Sequence, residues 1–137
     1  MRFLLDTDVV SQLSKPVPHP GAYQWVVAQE EDDIFLSVAT LLEIRVGIEK
    51  RDPSKKRDEL EDWLVHKLPL RFLGRIVPIE RHVADLAGRI IHRSRKESWG
   101  MDEMDAIIAA TAMANDLVLA TLNWKHFKDV GVKLVEF

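Results

Sequence analysis

A chain of 137 residues, 47% apolar and with a formal net charge of −3, can bury a core of its own and reads as one domain over 1–137. No run of ~18 apolar residues occurs, so no membrane span is expected, and the lack of cysteine excludes disulfides and thiolate metal sites. Net acidity argues against a broad basic face for nucleic acid, so any such substrate must be gripped locally.

The first element is "RFLL" (2–5), a short buried strand followed at once by Asp6 and Asp8. No small-residue cleavage site follows it, which argues against a signal peptide; together with the absence of cysteine, this makes a cytoplasmic location the expectation. Asp8 is placed to cap the short helical turn behind the strand. Three prolines and a glycine make "KPVPHPG" (15–21) a loop, and a helix over 22–29 holds Trp25. "DDIFLSVAT" supplies a second strand at about 34–38, after which a helix begins near Thr40 and breaks at Pro53. Another helix, over 54–67, contains Trp63, and "RIVPI" (75–79) holds a third, short strand.

Residues 80–97 have the clearest amphipathic pattern, with Val83, Leu86, Ala87, Ile90, Ile91 and Ser94 on one face. A helix over 103–114 is apolar nearly all round and must be buried, with Asn115 as the left-handed residue that ends it. "LVLAT" (117–121) is a strand, "NWKHF" a turn and "VKLVEF" a last strand. Strands alternating with helices imply an α/β domain with a mostly parallel sheet of four to five strands. Right-handed crossovers then put helices on both faces.

Three acids stand where one element gives way to the next. Asp6 ends the first strand, and Glu43 and Asp105 each lie in the first turn of a helix. In a parallel sheet, strand ends and helix starts gather at one edge, where ligands bind; Asn123, just past the strand 117–121, belongs there too. Carboxylates gathered without a basic partner repel one another, and a divalent cation removes that cost. Mg²⁺ takes oxygen ligands, keeps several waters and often binds substrate phosphate as well, so the chemistry indicated is phosphodiester hydrolysis. Local roles compete with this reading. "TLLE" (40–43) has the spacing of a capping box between Thr40 and Glu43, and "DEMD" (102–105) fits a cap at Asp102 with Asp105 favoured by the helix dipole. Caps do not explain Asp6.

"FLLDTDVVSQL", "LSVATLLEIRVGI" and "MDEMDAIIAATAMANDLVLATLNWKHF" together resemble the PIN-domain ribonucleases, and within them the VapC- and FitB-like toxins of bacterial toxin–antitoxin pairs. The likeness covers essentially the whole chain. It implies an α/β/α sandwich, usually dimeric, acting as a Mg²⁺- or Mn²⁺-dependent endoribonuclease that leaves 5′-phosphate and 3′-hydroxyl ends. By position, Asp6, Glu43 and Asp105 match the metal-binding acids, Thr7 the small hydroxyl residue of the first motif, and Thr121 the threonine before the fourth. Asp102 fits a cap or an outer ligand. The family's fourth acid is often Asp where this chain has Asn123, which takes one negative charge from the site. Relatives commonly carry Arg at the position of Leu122 and Asn at that of Asp8; Asp8 then serves as an outer ligand or a helix cap. The resemblance also implies an antitoxin laid along a groove, with a basic side chain sent toward the acids.

Two basic clusters are candidates for RNA contact. Lys50, Arg51, Lys55, Lys56 and Arg57 surround a helix end, while Arg89, His92, Arg93 and Lys96 share a helix face. Arg89, Arg93 and Lys96 are the residues read as touching the RNA backbone, and a solvated surface is the plain alternative for both clusters. The five histidines are scattered, which argues against metal-free chemistry by a histidine pair. Core packing or loop anchoring is the plain reading of the four tryptophans, Trp25, Trp63, Trp99 and Trp124, with stacking on bases or docking of a partner as the alternative. Other functions remain open at this level: a PIN fold kept for RNA or protein binding with its catalysis weakened, as Asn123 and Leu122 would allow, or a phosphatase of the haloacid-dehalogenase type built on "DTD". The phosphatase needs a late acidic pair at the end of a strand, and Asp102 and Asp105 follow none.

Overall fold

The computed structural model describes residues 1–135 and 137. Five strands form one sheet in the order β3-β2-β1-β4-β5, every neighbouring pair parallel. They are short: β1 is Phe3–Leu5, β2 Ile34–Ser37, β3 Ile76–Val77, β4 Val118–Ala120 and β5 Leu134–Val135. The last strand is thus shorter than the expected "VKLVEF", whose position 136 lies outside the described residues.

Alternation along each strand divides the core into two layers. Leu4 and Leu119 face one side, where Val83, Ala87 and Ile90 of α6 (Arg81–Glu97) and Ile108 and Ala109 of α7 (Glu103–Ala114) cover them. Leu5, Leu36 and Ala120 face the other. Over them lie Val9 and Val10 of α1 (Thr7–Gln12), Val26 of α2 (Pro20–Ala28), and Ile44 and Ile48 of α3 (Val38–Glu49). Leu68 of α5 (Leu68–Arg71) and Phe72 close that layer. The α/β/α sandwich is therefore as expected.

Local differences from the sequence reading have local causes. The helix over 54–67 is α4 (Lys55–Asp62) followed by a wider π-type turn over Trp63–Lys67. Pro69 cannot donate to the carbonyl four residues before it, and the Leu68 amide reaches back five residues to the Trp63 carbonyl. "NWKHF" is not only a turn but holds a one-turn helix, α8 (Trp124–Phe127). Asn115 is not the left-handed residue after α7; its φ is −108°, and Asp116 turns left-handed at +53°. Asn115 instead donates its side-chain amide to the Thr111 carbonyl at 2.8 Å. Left-handed Ser98 (φ 57°) and Gly100 (φ 72°) lie between α6 and α7, where the chain turns back to bring the start of α7 to the sheet edge.

The strand order places the site. β1 is central, with β2 on one side and β4 on the other. The chain leaving β1 runs toward β2 while that leaving β4 runs toward β5, so the carboxyl edge opens between them.

Candidate active site

Asp6 stands at that opening. It is only 5% exposed, and its backbone amide extends the ladder by donating to the Ala120 carbonyl at 2.9 Å. Its Oδ1 accepts from the Thr7 amide and its Oδ2 from the Thr121 hydroxyl, each at 2.8 Å. Asp6, not Asp8, is therefore the cap of α1. Asp8 projects across the opening to the loop after β4: its Oδ2 accepts from the Leu122 amide at 3.1 Å and the Asn123 side-chain amide at 2.9 Å. Its Oδ1 is buried with no hydrogen-bond partner.

Thr7 and Glu43 form the second wall. The Thr7 hydroxyl donates to Glu43 Oε1 at 2.6 Å and lies 3.0 Å from the Thr40 hydroxyl. Thr40 does not cap α3, and the box it would form with Glu43 is absent. Ser37 caps that helix by accepting from the Ala39 amide at 3.0 Å, so α3 begins two residues earlier than expected. Glu43 is thereby turned toward Thr7 and the cleft.

The start of α7 makes the third wall. Asp102 caps it, its Oδ1 accepting from the Asp105 amide at 2.8 Å. The Asp105 carboxylate is not spent on a cap; it lies 3.3 Å from the Nδ1 of His126. Asp6, Thr7, Asp8, Glu43, Asp102 and Asp105 line one cleft of about 290 Å³ with Asn123 and His126. Thr121 works from behind, its hydroxyl donating to Asp6 and accepting from the Asn123 amide at 3.0 Å. All three principal acids and all four supporting residues expected from the sequence are thus in or against the cleft.

His126 was unexpected there. One signal for it lies in the spacing: three residues after Asn123 is one helical turn, so both face the same way once "NWKHF" is helical. Arg89, Arg93 and Lys96, by contrast, lie on α6 and do not line the cleft. Arg89 pairs with Asp85 at 3.2 Å, and the Arg93 guanidinium lies 4.9 Å over the Trp99 ring. Trp25 packs edge-on to Phe3, Trp63 joins the core beneath α3, and only Trp124 is about half exposed.

Among the described residues no lysine or arginine lines the cleft, and the acids respond accordingly. Burial, then repulsion from Asp8, pushes Asp6 up to about 7 against the two hydrogen bonds that favour its charge. Asp105 rises to about 6 through burial and repulsion from Asp102, opposed by His126. Burial also raises Glu43 and Asp8. The donor set fits a hard divalent cation: carboxylate oxygens predominate, their charge lacks compensation, and Asp8 Oδ1 is an orphaned buried acceptor. Among the described residues no group of three or more acidic or histidine side chains is placed to hold a metal ion as it stands.

The chain belongs to the PIN-domain family, whose model matches residues 3–133. It is similar to the toxin FitB of Neisseria gonorrhoeae, 31% identical over 94% of this chain and 94% of that protein. It is also similar to the VapC ribonuclease Y4jK of Sinorhizobium fredii, 26% identical over 96% of this chain and 94% of that one. The crystal structure of FitAcB from Neisseria gonorrhoeae superposes with a TM-score of 0.87, at 29% identity over 98% of this chain and 96% of that chain.

Proposed function

We propose that this protein is a divalent-metal-dependent endoribonuclease and the toxin of a toxin–antitoxin pair. One observation carries the reading: four carboxylates, Asp6, Asp8, Glu43 and Asp105, have their pKa values raised around one cleft that no lysine or arginine relieves. Such an arrangement costs stability unless a cation enters, and perturbed groups in a cleft mark functional sites. Family membership, and the names ribonuclease and toxin borne by relatives matched over nearly their full length, supply the substrate class and the biological role.

Asp6, Glu43 and Asp105 would hold Mg²⁺, or Mn²⁺ in its place. Bound there, the ion lowers the pKa of water and offsets charge on the phosphoryl oxygens. The chain's own residues supply the geometry. Thr121 and the Thr7 amide fix the two Asp6 oxygens, Thr7 fixes Glu43, and the Asp102 cap fixes the start of the helix that carries Asp105. Asp8 ties Asn123 to the cleft wall, so the amide that replaces the family's frequent fourth acid is positioned and neutral. His126 holds Asp105 from the open side.

The same reading gives the protein a cytoplasmic place, RNA as substrate, a cognate antitoxin as inhibitor and a homodimer as its assembly. The described residues include no helix long and apolar enough to cross a membrane. A PIN fold reduced to binding is less well supported, because every principal acid is in place and held. The phosphatase reading falls with family membership and with Asp102 and Asp105 opening a helix. The test compares the protein with Asp6→Asn on a mixed RNA pool in Mg²⁺, in Mn²⁺ and in EDTA, with product ends mapped. Metal-dependent cuts absent from the variant are expected; cuts that survive both EDTA and the substitution would overturn the mechanism.

A further inference from the structure

Next to the acidic cleft lies a groove of opposite character. The two share Thr7 and Glu43. From there the groove runs between the end of α1, the outer face of α3 and α4. Its floor is apolar, from Ile44, Leu60 and half-buried Trp63, and its sides carry Lys15, Arg51 and Lys56. A second depression continues past Lys56 and Trp63; Glu59 lines it too, as does Lys67, which is paired with Asp62 at 3.6 Å.

These cations differ from two of their neighbours. Arg45 and Arg57 are tied to Glu49, and Arg45 also to Glu61 at 2.6 Å. Among the described residues Lys15, Arg51 and Lys56 enter no ion pair, although carboxylates are abundant nearby. The groove measures about 260 Å³, below the roughly 300–1,000 Å³ of sites that enclose a small molecule, and it opens into the cleft at one end. That shape suits a chain laid along it better than a compact ligand held inside.

We propose that this groove is the track for the RNA strand on one side of the scissile phosphate, with Lys15, Arg51 and Lys56 on the backbone and Trp63 beneath a base. The inference takes its substrate class from the nuclease reading and adds the path. Unpaired cations set the contact with phosphates, and an aromatic floor accepts any base by stacking, which is how single strands are held without sequence readout. The acidic cleft repels RNA until a cation occupies it, so the binding energy must come from beside the cleft. The cations of α6 are poorer candidates. Arg89 is already paired, Arg93 is already stacked on Trp99, and although Lys96 enters no ion pair among the described residues, none of the three lines the cleft or its extension.

The test uses the full chain with Asp6→Asn to prevent cutting and follows fluorescence anisotropy of a short, mixed-sequence single-stranded RNA across a salt series. Replacing Lys15, Arg51 and Lys56 together by Ala should weaken binding at least tenfold. It should also flatten the slope of log K against log salt by about 2, at about 0.7 per single-strand phosphate contact. The matched replacement of Arg89, Arg93 and Lys96 should change affinity less than twofold. Arg51→Ala alone, at an exposed helix end, repeats the measurement with the smallest disturbance should the triple variant melt early. Unchanged binding and slope in the groove variants would overturn the proposal, as would failure of Asp6→Asn to bind RNA at low salt. If the groove variants bind RNA normally but lose a co-expressed protein inhibitor, the groove belongs to that inhibitor and not to RNA. Cleavage by the otherwise unaltered chain, measured in parallel, separates the two readings. Cutting with unaffected groove variants removes the track alone, and an RNA-binding groove on a chain that never cuts removes the nuclease alone.

Discussion

Two populations of acids share this molecule. On the surface, Glu31, Glu49, Glu61 and Glu103 each sit against an arginine: Glu31 lies 2.8 Å from Arg71 and Glu103 2.8 Å from Arg95. In the cleft, among the described residues, Asp6, Asp8 and Glu43 have no cation within ion-pair distance, and Asp105 has only a histidine. Their neighbours are instead fixed neutral donors, the Thr7 amide, the Thr121 hydroxyl and the Leu122 amide. Exposed pairs contribute about 0–1 kcal/mol each and are interchangeable. Buried acids without a counter-charge cost stability at neutral pH, and their retention at one sheet edge is what a site for an external cation requires. The sharpest ways to test this contrast are substitutions and pH changes that affect one population and spare the other.

The largest effect belongs to Asp6→Asn. It should lower metal-dependent RNA cleavage roughly 100-fold or more, since the ion's contribution amounts to several kcal/mol. The same change should raise the melting temperature of the metal-free protein at pH 8, because it removes a buried charge while Thr121 can turn its hydroxyl toward Asp8 Oδ2, 3.4 Å away. An unchanged melting temperature together with full activity would remove Asp6 from the account.

Thr121→Val comes next. The hydroxyl fixes Asp6 Oδ2 and the Asn123 amide together, and losing such a support commonly costs about 10–100-fold in metal affinity or activity. Activity should return in part at higher Mn²⁺ concentration, an outcome that simple loss of folding would not produce.

The pH dependence of stability follows from the raised pKa values. Below pH 3.8, the ordinary carboxylate value, Asp6 is protonated both folded and unfolded. As pH rises from there toward about 7, the unfolded chain loses its proton first, so the folded state loses relative stability. Asp105 adds the same trend up to about 6. Metal-free protein should therefore melt at progressively lower temperature from pH 4 to pH 7.5, and saturating Mg²⁺ should remove most of that slope. A stability that rises across the same range would contradict the raised values. The smallest effect belongs to the surface population: Arg95→Ala, which breaks the exposed pair with Glu103, should change stability by less than about 0.5 kcal/mol and leave cleavage unaltered.

Much of the site was legible because its residues sit at element boundaries, and boundaries have chemical signatures. α7 spans Glu103–Ala114 as its apolar run indicates, Asp102 caps it, and Asp6 ends β1. The misreadings at helix ends share one cause. At three such ends, two residues were eligible for the terminal role and the other one took it: Ser37 rather than Thr40, Asp6 rather than Asp8, and Asp116 rather than Asn115. Local propensity ranks such candidates nearly equally. What separates them is where the preceding element runs out, and at Ser37 and Asp6 sheet pairing fixes that. The displaced residues then became free for the site, Thr40 against Thr7 and Asp8 across to Asn123. His126 stayed hidden for a related reason: its role depends on α7 and α8 converging, and no local pattern encodes that.

If the cleft acids exist to bind a cation, calorimetric titration of Mn²⁺ into the metal-free chain should register the binding. The titration would be run at pH 7 in two buffers of different ionisation enthalpy, for the chain and for its Asp6→Asn variant. With burial pushing Asp6 up to about 7, binding should release protons and the apparent enthalpy should depend on the buffer. The variant should bind weakly and with little buffer dependence. Equal Mn²⁺ binding by both proteins with no proton release, or no binding by either, would contradict the account.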